Sequence, residues 1–394
     1  MSEKPGASRV GLFWSAAGGI FVFGIVLAIL GALFGLPAMR ERLGINLAQQ
    51  GDIFLALFFG VFLATVFAGP TIDSFGNKSV LAISAALVTA GLLILAAAES
   101  FLPALAGSFV LGLGGGGLNT STNALVSDVY PDKRGAMLNL LGVFFGFGAL
   151  FIPLLTAVIL DYVGPVELLR IAAVLSAICF FAYLVLRFPA ARESGGFSPM
   201  GIFRVARHPG VLLLAFLLFF QSGNESAIGG WTSTYVGSMG ADPRAATWVL
   251  SGYWAALMLG RVLSAKLLER MTKTSLILAS AIGSAVGALV LLASGSLAMM
   301  AVGAVIVGLS FAAIYPTTLA IAGDRYQQHA ASVFGLLFAV GLLGGMGFPW
   351  ALGHISHAWG IRAGMALPLV GAAMIALLIS GVAAKEKKTA AGTG

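Results

Sequence analysis

The chain of 394 residues contains one cysteine, Cys179, so it has no internal disulfide to form and its redox compartment is not readable from cysteine usage. Charge is scarce too. Asp, Glu, Lys and Arg make up 9% of residues, against about 25% in a soluble domain, which is too few to clothe a water-facing surface of this size. The four histidines fall in no metal-ligand spacing, and no glycine-rich loop ends in Lys-Ser or Lys-Thr to cradle a phosphate. These absences argue against an enzyme and against any cofactor or bound metal. The net charge of +7 does not indicate a nucleic-acid partner. It is dispersed through short loops between apolar segments, where membrane proteins carry the charge that orients them.

Hydrophobic residues are abundant, at 59%. About 20 residues at 1.5 Å each cross the hydrocarbon of a bilayer, and twelve runs qualify. They lie near 10–36, 51–71, 79–98, 101–127, 134–160 and 166–188, then 210–239, 244–268, 274–293, 296–322, 329–355 and 361–383. Strands are excluded, because the runs are twice the length of a membrane strand and do not alternate apolar with polar. The first run is longer than the core of a signal peptide and leads into further spans, so no cleavable leader is expected. One long connection, 189–209, contains Pro189, Gly195, Gly196, Pro199 and Pro209 as breakers, with Arg192, Arg204 and Arg207. The expected organisation is an N-terminal six-helix bundle (1–188), a linker (189–209) and a C-terminal six-helix bundle with a short basic tail (210–394).

Of 22 Lys and Arg residues, 16 fall on the side shared by the two termini and the linker, including Lys78, Lys133, Arg134, Arg270, Lys273 and Lys385. Five fall on the other side (Arg40, Arg42, Arg170, Arg244 and Arg362), and Arg261 lies inside the eighth span. Positive charge marks the cytoplasmic face, so both termini are expected there, in a multi-pass protein of the cytoplasmic membrane.

The halves are alike. Gly112-Leu113, Asp128, Tyr130, Gly148, Pro153 and Gly164 return 196 positions later as Gly308-Leu309, Asp324, Tyr326, Gly344, Pro349 and Gly360. A period this long is a duplicated domain, not a solenoid unit.

Polar groups inside the spans are functional candidates, because a bilayer makes them costly. Glu225 is the one carboxylate well inside a helix. Gln221, Asn224, Glu225 and Gly229 fit one face of the seventh span at i, i+3, i+4 and i+8. In the fourth span Asn119 and Asn123 lie i, i+4 behind Gly114–Gly117, and two amides suit sugar hydroxyls because each both donates and accepts. Asn139, Tyr315, Trp231 and Tyr235 are candidates for further wall and stacking surface, with Tyr253, Trp254 and Trp350. The alternatives are interhelical hydrogen bonding, a structural Glu paired to a base, and aromatic belts at the interface. His354 and His357 read as surface residues.

Twelve spans as two parallel sixes resemble the major facilitator superfamily. The loop Gly69-Pro70-Thr71-Ile72-Asp73-Ser74-Phe75-Gly76-Asn77-Lys78 resembles that superfamily's G-x-x-x-D-R-x-G-R loop, with Ser74 in place of the usual Arg. The resemblance implies gating by Gly69, Asp73, Gly76 and Lys78, with Arg134 nearby. Asp73 would then meet the start of the eleventh helix near Ala331, where the helix dipole favours an anion. Gly260-Arg261, followed by Lys266 and Arg270, is a weaker echo in the eighth span.

A closer resemblance is to the fucose/glucose–proton symporter family. Its fourth span reads L-E-T-x-x-N-P, and Leu118 to Ala124 lines up with it; Asn139-Leu140 matches an N-L in its fifth. The glucose-type seventh span, G-x-E-x-x-x-G-x-W-x-x-x-Y, fits Gly223, Glu225, Gly229, Trp231 and Tyr235. Two departures stand out: the family's fourth-span Glu is Asn119 here, and its first-span Asp is missing from Gly31–Pro37. The resemblance implies a monomeric secondary transporter for a sugar-like solute, working by proton symport (sodium being the second choice of ion). The solute would bind in a midplane cavity walled by the first, fourth, seventh and tenth spans. Glu225 would hold its proton when occluded and release it when water arrives. Arg261 belongs toward the cytoplasmic end of the eighth span, so an ion pair with Glu225 is not the default. An exporter of amphipathic drugs or lipids, an uncoupled uniporter and a membrane-bound nutrient sensor are the alternatives. The exporter's fifth-span G-P-x-x-G-G order is absent from Gly142–Pro153.

Overall fold

The computed structural model describes residues 8–188 and 205–391, with the chain path alone at 328, 330, 331 and 385–391. Residues 189–204 of the expected linker, with Arg192 and Arg204, lie outside the described residues, as does the side chain of Lys385. The chain divides into two compact units, Met1–Phe197 and Ser198–Gly394. Among the described residues there are helices and no strand.

The first unit holds α1 (Arg9–Phe34), α2 (Pro37–Leu43), α3 (Leu47–Ala97), α4 (Phe101–Val129), α5 (Arg134–Ile159) and α6 (Pro165–Val185). The second holds α7 (Pro209–Ser238), α8 (Pro243–Leu267), α9 (Lys273–Ala293), α10 (Leu297–Arg325), α11 (Ala330–Trp359), α12 (Ile361–Met365) and α13 (Leu367–Ala391). Ten helical stretches are long and apolar enough to cross a membrane. At 51 residues α3 contains two spans, and α8 is long enough but less apolar, which brings the total to twelve.

The sequence register recurs in the helix boundaries. Moving α4 by 196 positions gives α10 at both ends, and the 3₁₀ turn Pro131–Lys133 becomes Gln327–His329. Packing repeats as well. A Cβ built at Gly91 would lie 2.9 Å from the Gly107 carbonyl oxygen, and one at Gly287 would lie 2.9 Å from that of Gly303. Gly148 abuts the Phe21 carbonyl and Gly344 abuts that of Phe219. This last pair places the first and seventh spans 198 positions apart, not 196, so the register slips by two between them and the second span. Missing side chains let helix backbones approach where lipid provides no hydrophobic drive for association.

The tyrosines following α4 and α10 also correspond. Tyr130 donates its hydroxyl to the Arg9 carbonyl at 3.0 Å, and the Tyr326 hydroxyl lies 3.2 Å from His208 Nδ1, each at the start of its unit's first span.

The second and third spans form one helix, α3, interrupted only at Gly76 (φ 77°, ψ 158°), a conformation open to glycine. In the second unit the equivalent residue is Thr272, whose hydroxyl accepts from Ser275 N and caps α9. The loop read from the sequence is therefore a single non-helical joint.

The short helix α2 was not foreseen. Its seven residues end at Gly44 in the left-handed region. From α2, Arg42 donates Nε to the Ala98 carbonyl at 2.9 Å and Nη2 to that of Ala96 at 3.3 Å, placing a cation on the last carbonyls of α3.

Candidate functional site

Two polar faces stand out, one in each unit. In the first, glycines wedge α4 among its neighbours. Cβ atoms built at Gly114, Gly115 and Gly116 would lie 2.5 Å from Val88 N, 2.8 Å from Val26 and 2.5 Å from the Val61 carbonyl, which belong to both limbs of α3 and to α1. Beyond that wedge Asn119 and Asn123 are half-buried. Asn123 Nδ2 donates to the Asn119 carbonyl at 2.7 Å and to its Oδ1 at 3.2 Å. The ladder continues at i+8, where Ser127 Oγ donates to the Asn123 carbonyl at 2.8 Å and receives Arg134 Nε at 3.1 Å. Asn119 and Asn123 are therefore neither sealed in the core nor fully exposed. Asn139, expected in the wall, is exposed.

In the second unit the chemistry centres on Glu225 of α7, which is half-buried. Gln221, one turn earlier and expected among the solute ligands, is fully buried, and Arg261 on α8 lies within electrostatic reach of the carboxylate. Glu225 also lies within electrostatic reach of Tyr253 on α8 and Tyr315 on α10, and Arg261 reaches Tyr253. The Tyr253 hydroxyl donates to the Glu225 carbonyl at 3.4 Å, and Gln221 Nε2 donates to the Phe311 carbonyl at 3.3 Å. Three helices thus bring an acid, a base, an amide and two phenols together inside one apolar bundle. Arg261 was not expected so near: it lies within electrostatic reach of Glu225.

The rest of α7 departs from the expected face. Asn224 is fully buried, pressed against Gly371 of α13, and neither amide atom has a hydrogen-bond partner among the described residues. Trp231 and Tyr235 are fully buried, and the Tyr235 hydroxyl is 3.4 Å from the Leu291 and Leu292 carbonyls of α9. In this structure they present no ring to a solute. The physical reason is that α7 is wrapped on several sides: Gly223 meets Phe348 of α11, Gly229 meets Trp254 of α8, and Ser226 donates to the Gly345 carbonyl. Tyr315 stacks on Phe338 at 6.4 Å and is half-buried.

The residues assigned to gating do local work in the first unit. Lys78 donates Nζ to the Leu184 carbonyl at 2.8 Å, placing its charge on the C-terminal turn of α6. Gly76 is the joint of α3, and Gly69 faces open space. Asp73 is half-buried one turn before Gly76. The Ala331 side chain, named as its neighbour, lies outside the described residues. In the second unit Lys273, at the start of α9, pairs with Asp324 near the end of α10.

Twelve apolar helices in two like units, with a charged cluster half-buried inside one of them, define a multi-pass membrane transporter. The Major Facilitator Superfamily profile matches residues 16–242 and 214–393, and the chain belongs to that superfamily. Among curated proteins it is similar to the purine ribonucleoside efflux pumps NepI of Shigella sonnei and of Escherichia coli K12, 29% identical over 286 residues, 71% of either chain. Among solved structures, the nucleoside transporter NupG matches with a TM-score of 0.78 at 14% identity, covering 95% of this chain and 98% of NupG. A D-xylose–proton symporter matches at 0.79 and 12%, covering 94% and 97%. A mutant of the E. coli fucose–proton symporter FucP matches at 0.65 and 20%, covering 95% and 98%. At such identities the likeness is one of fold.

Proposed function

We propose that the protein is a proton-coupled secondary transporter of a hydroxyl-rich solute, a sugar or a sugar-bearing molecule, working by alternating access in the cytoplasmic membrane with both termini inside. The observation that carries this reading is the Glu225–Arg261 cluster. A carboxylate with a cation within electrostatic reach has one state in which the two charges balance, and another in which a bound proton neutralises the carboxylate and leaves Arg261 uncompensated by it. The access of water decides between them, which is the linkage a coupled carrier needs. In this reading Asn119 and Asn123 of the first unit and Tyr315 of the second, each half-buried within its own unit, offer donors and acceptors for solute hydroxyls. Gly69, Asp73 and Gly76 form the gate. The protein acts as a monomer, and sodium is the second choice of coupling ion.

A second reading, export of a ribonucleoside in exchange for protons, draws on the similarity to purine ribonucleoside efflux pumps. Both solutes present ring hydroxyls, so the polar faces suit either. The test uses the purified protein in proteoliposomes with an imposed pH gradient. Radiolabelled glucose, fucose and inosine are followed in both directions, and sodium gradients serve as the control. Accumulation of a sugar down the proton gradient supports symport, and inosine movement against it supports the exporter. If no solute moves with any gradient, both readings fail.

A further inference from the structure

The first unit has an apolar groove of about 550 Å³ between the third span and α6, with Ser79, Ala82, Ile83, Ala86, Leu87 and Ala90 on one wall and Phe180 and Leu184 on the other. We propose that this groove holds an acyl chain of an anionic phospholipid, whose phosphodiester sits against Lys78 and Arg187. Three observations point to that ligand.

The first is the repeat. Across the 196-residue register, Ala82, Ala86 and Ala90 correspond to Leu278, Ile282 and Val286, and the Gly91–Gly287 packing fixes that alignment on the two helices. Ile83 and Leu87, which also line the groove, correspond to Ala279 and Gly283, so the two units place their bulk differently on this face. Membrane helices pack closely where residues are small, yet along this groove Ala82 is buried, Ala86 half-buried and Ala90 exposed. Leu184 and Phe181 beside the groove are half or more exposed, on a surface covered by lipid.

The second is the charge at one end. Lys78 adjoins Ser79 on one wall, and its Nζ reaches the carbonyl of Leu184 on the other, so the ammonium bridges the groove where it ends. One bond uses one of its three protons. Arg187 lies two residues beyond the end of α6 and is exposed. The register puts Thr274 at the position of Lys78, and the neighbouring Lys273 is paired with Asp324.

The third is the chemistry of the match. The walls are hydrocarbon, with one hydroxyl at the charged end. This suits a molecule with an apolar tail and an anionic head, and basic pockets on transmembrane helices recognise lipid head groups in this way.

Native mass spectrometry of the full-length protein, incubated with equimolar dioleoyl-phosphatidylglycerol and dioleoyl-phosphatidylcholine, tests the proposal. The wild type is expected to retain phosphatidylglycerol in preference. Lys78→Gln and Arg187→Gln should each reduce that preference by about fivefold, the value of one juxtamembrane cation, while leaving phosphatidylcholine retention unchanged. Ala86→Phe should reduce retention of both lipids by filling the groove. Ala90→Leu, on the exposed rim, does the same with less risk to folding, which monodisperse elution checks. Equal retention of the two lipids by the wild type, or variants that retain phosphatidylglycerol as the wild type does, would overturn the site.

Discussion

Glu225 on α7 and Arg261 on α8 lie within electrostatic reach of one another inside a single bundle, with Tyr253 in reach of both charges and its hydroxyl donating to the Glu225 carbonyl at 3.4 Å. Each charge makes the other tolerable in a low-dielectric setting, and removing one partner leaves the second uncompensated. Arg261→Gln should therefore lower the melting temperature of the detergent-purified protein, and adding Glu225→Gln should recover part of the loss. A double variant no more stable than Arg261→Gln would mean the charges are independent, since coupled sites depart from additivity.

For transport, Glu225→Gln keeps the shape and hydrogen bonding of the side chain but cannot titrate. Solute exchange across proteoliposomes should survive, and accumulation driven by a pH gradient should vanish. Proton-driven accumulation in that variant would assign the coupling to another group.

Gly344 and Gly347 lie one turn apart on α11 with opposite expectations. A Cβ at Gly344 runs into the Phe219 backbone, whereas one at Gly347 meets nothing within 4 Å. Gly344→Ala should destabilise by about 1–3 kcal/mol, the usual cost of overpacking. Gly347→Ala should be neutral or stabilising by about 0.5–1 kcal/mol, the helix preference for Ala over Gly. Thermal unfolding of the two variants checks both signs.

At Gly76 the backbone conformation excludes a side chain whatever the space around it (φ 77°, ψ 158°). Gly76→Ala should destabilise by about 1–3 kcal/mol, and Thr272→Gly, at the equivalent capped position, by only a few tenths of a kcal/mol. Chemical denaturation of both would show whether the joint alone depends on glycine.

Asp324 and Lys273 are a pair of another kind, both substantially exposed. Asp324→Asn should shift stability by less than about 1 kcal/mol, because solvent screens such pairs.

The twelve spans and their duplication were legible because length and hydropathy are set by bilayer thickness, which each segment must satisfy by itself. The two-residue slip in the first span was not, because Phe21 and Phe219 meet their glycines through backbone oxygens that carry no sequence signal. Side-chain direction was hard to read for the same reason. Lipid and bundle interior are equally apolar, so Trp231 and Tyr235 looked like available rings although packing buries them. Asn224 and Glu225 are neighbours in sequence but about 100° apart around a helix, and no periodicity in so polar a segment told which one faced α13. Arg261 was legible as an anomaly. Its partner was not, because the contact joins two helices whose relative height the sequence leaves open.

The low apolarity of α8 has a consequence for how the protein is made. Ten described helices are apolar enough to enter a bilayer on their own account, and α8, carrying Arg261 and Lys266, is not among them. A charged residue in a spanning helix opposes its release from the insertion machinery into lipid. Only Met239 to Asp242 separate α7 from α8, so the two leave the ribosome almost together. Glu225 would then already be at hand when Arg261 emerges, and the two helices would enter as one hairpin. On that reading the seventh helix assists the eighth into the bilayer, and losing the acid should appear first as a shortage of inserted protein, before any solute is offered.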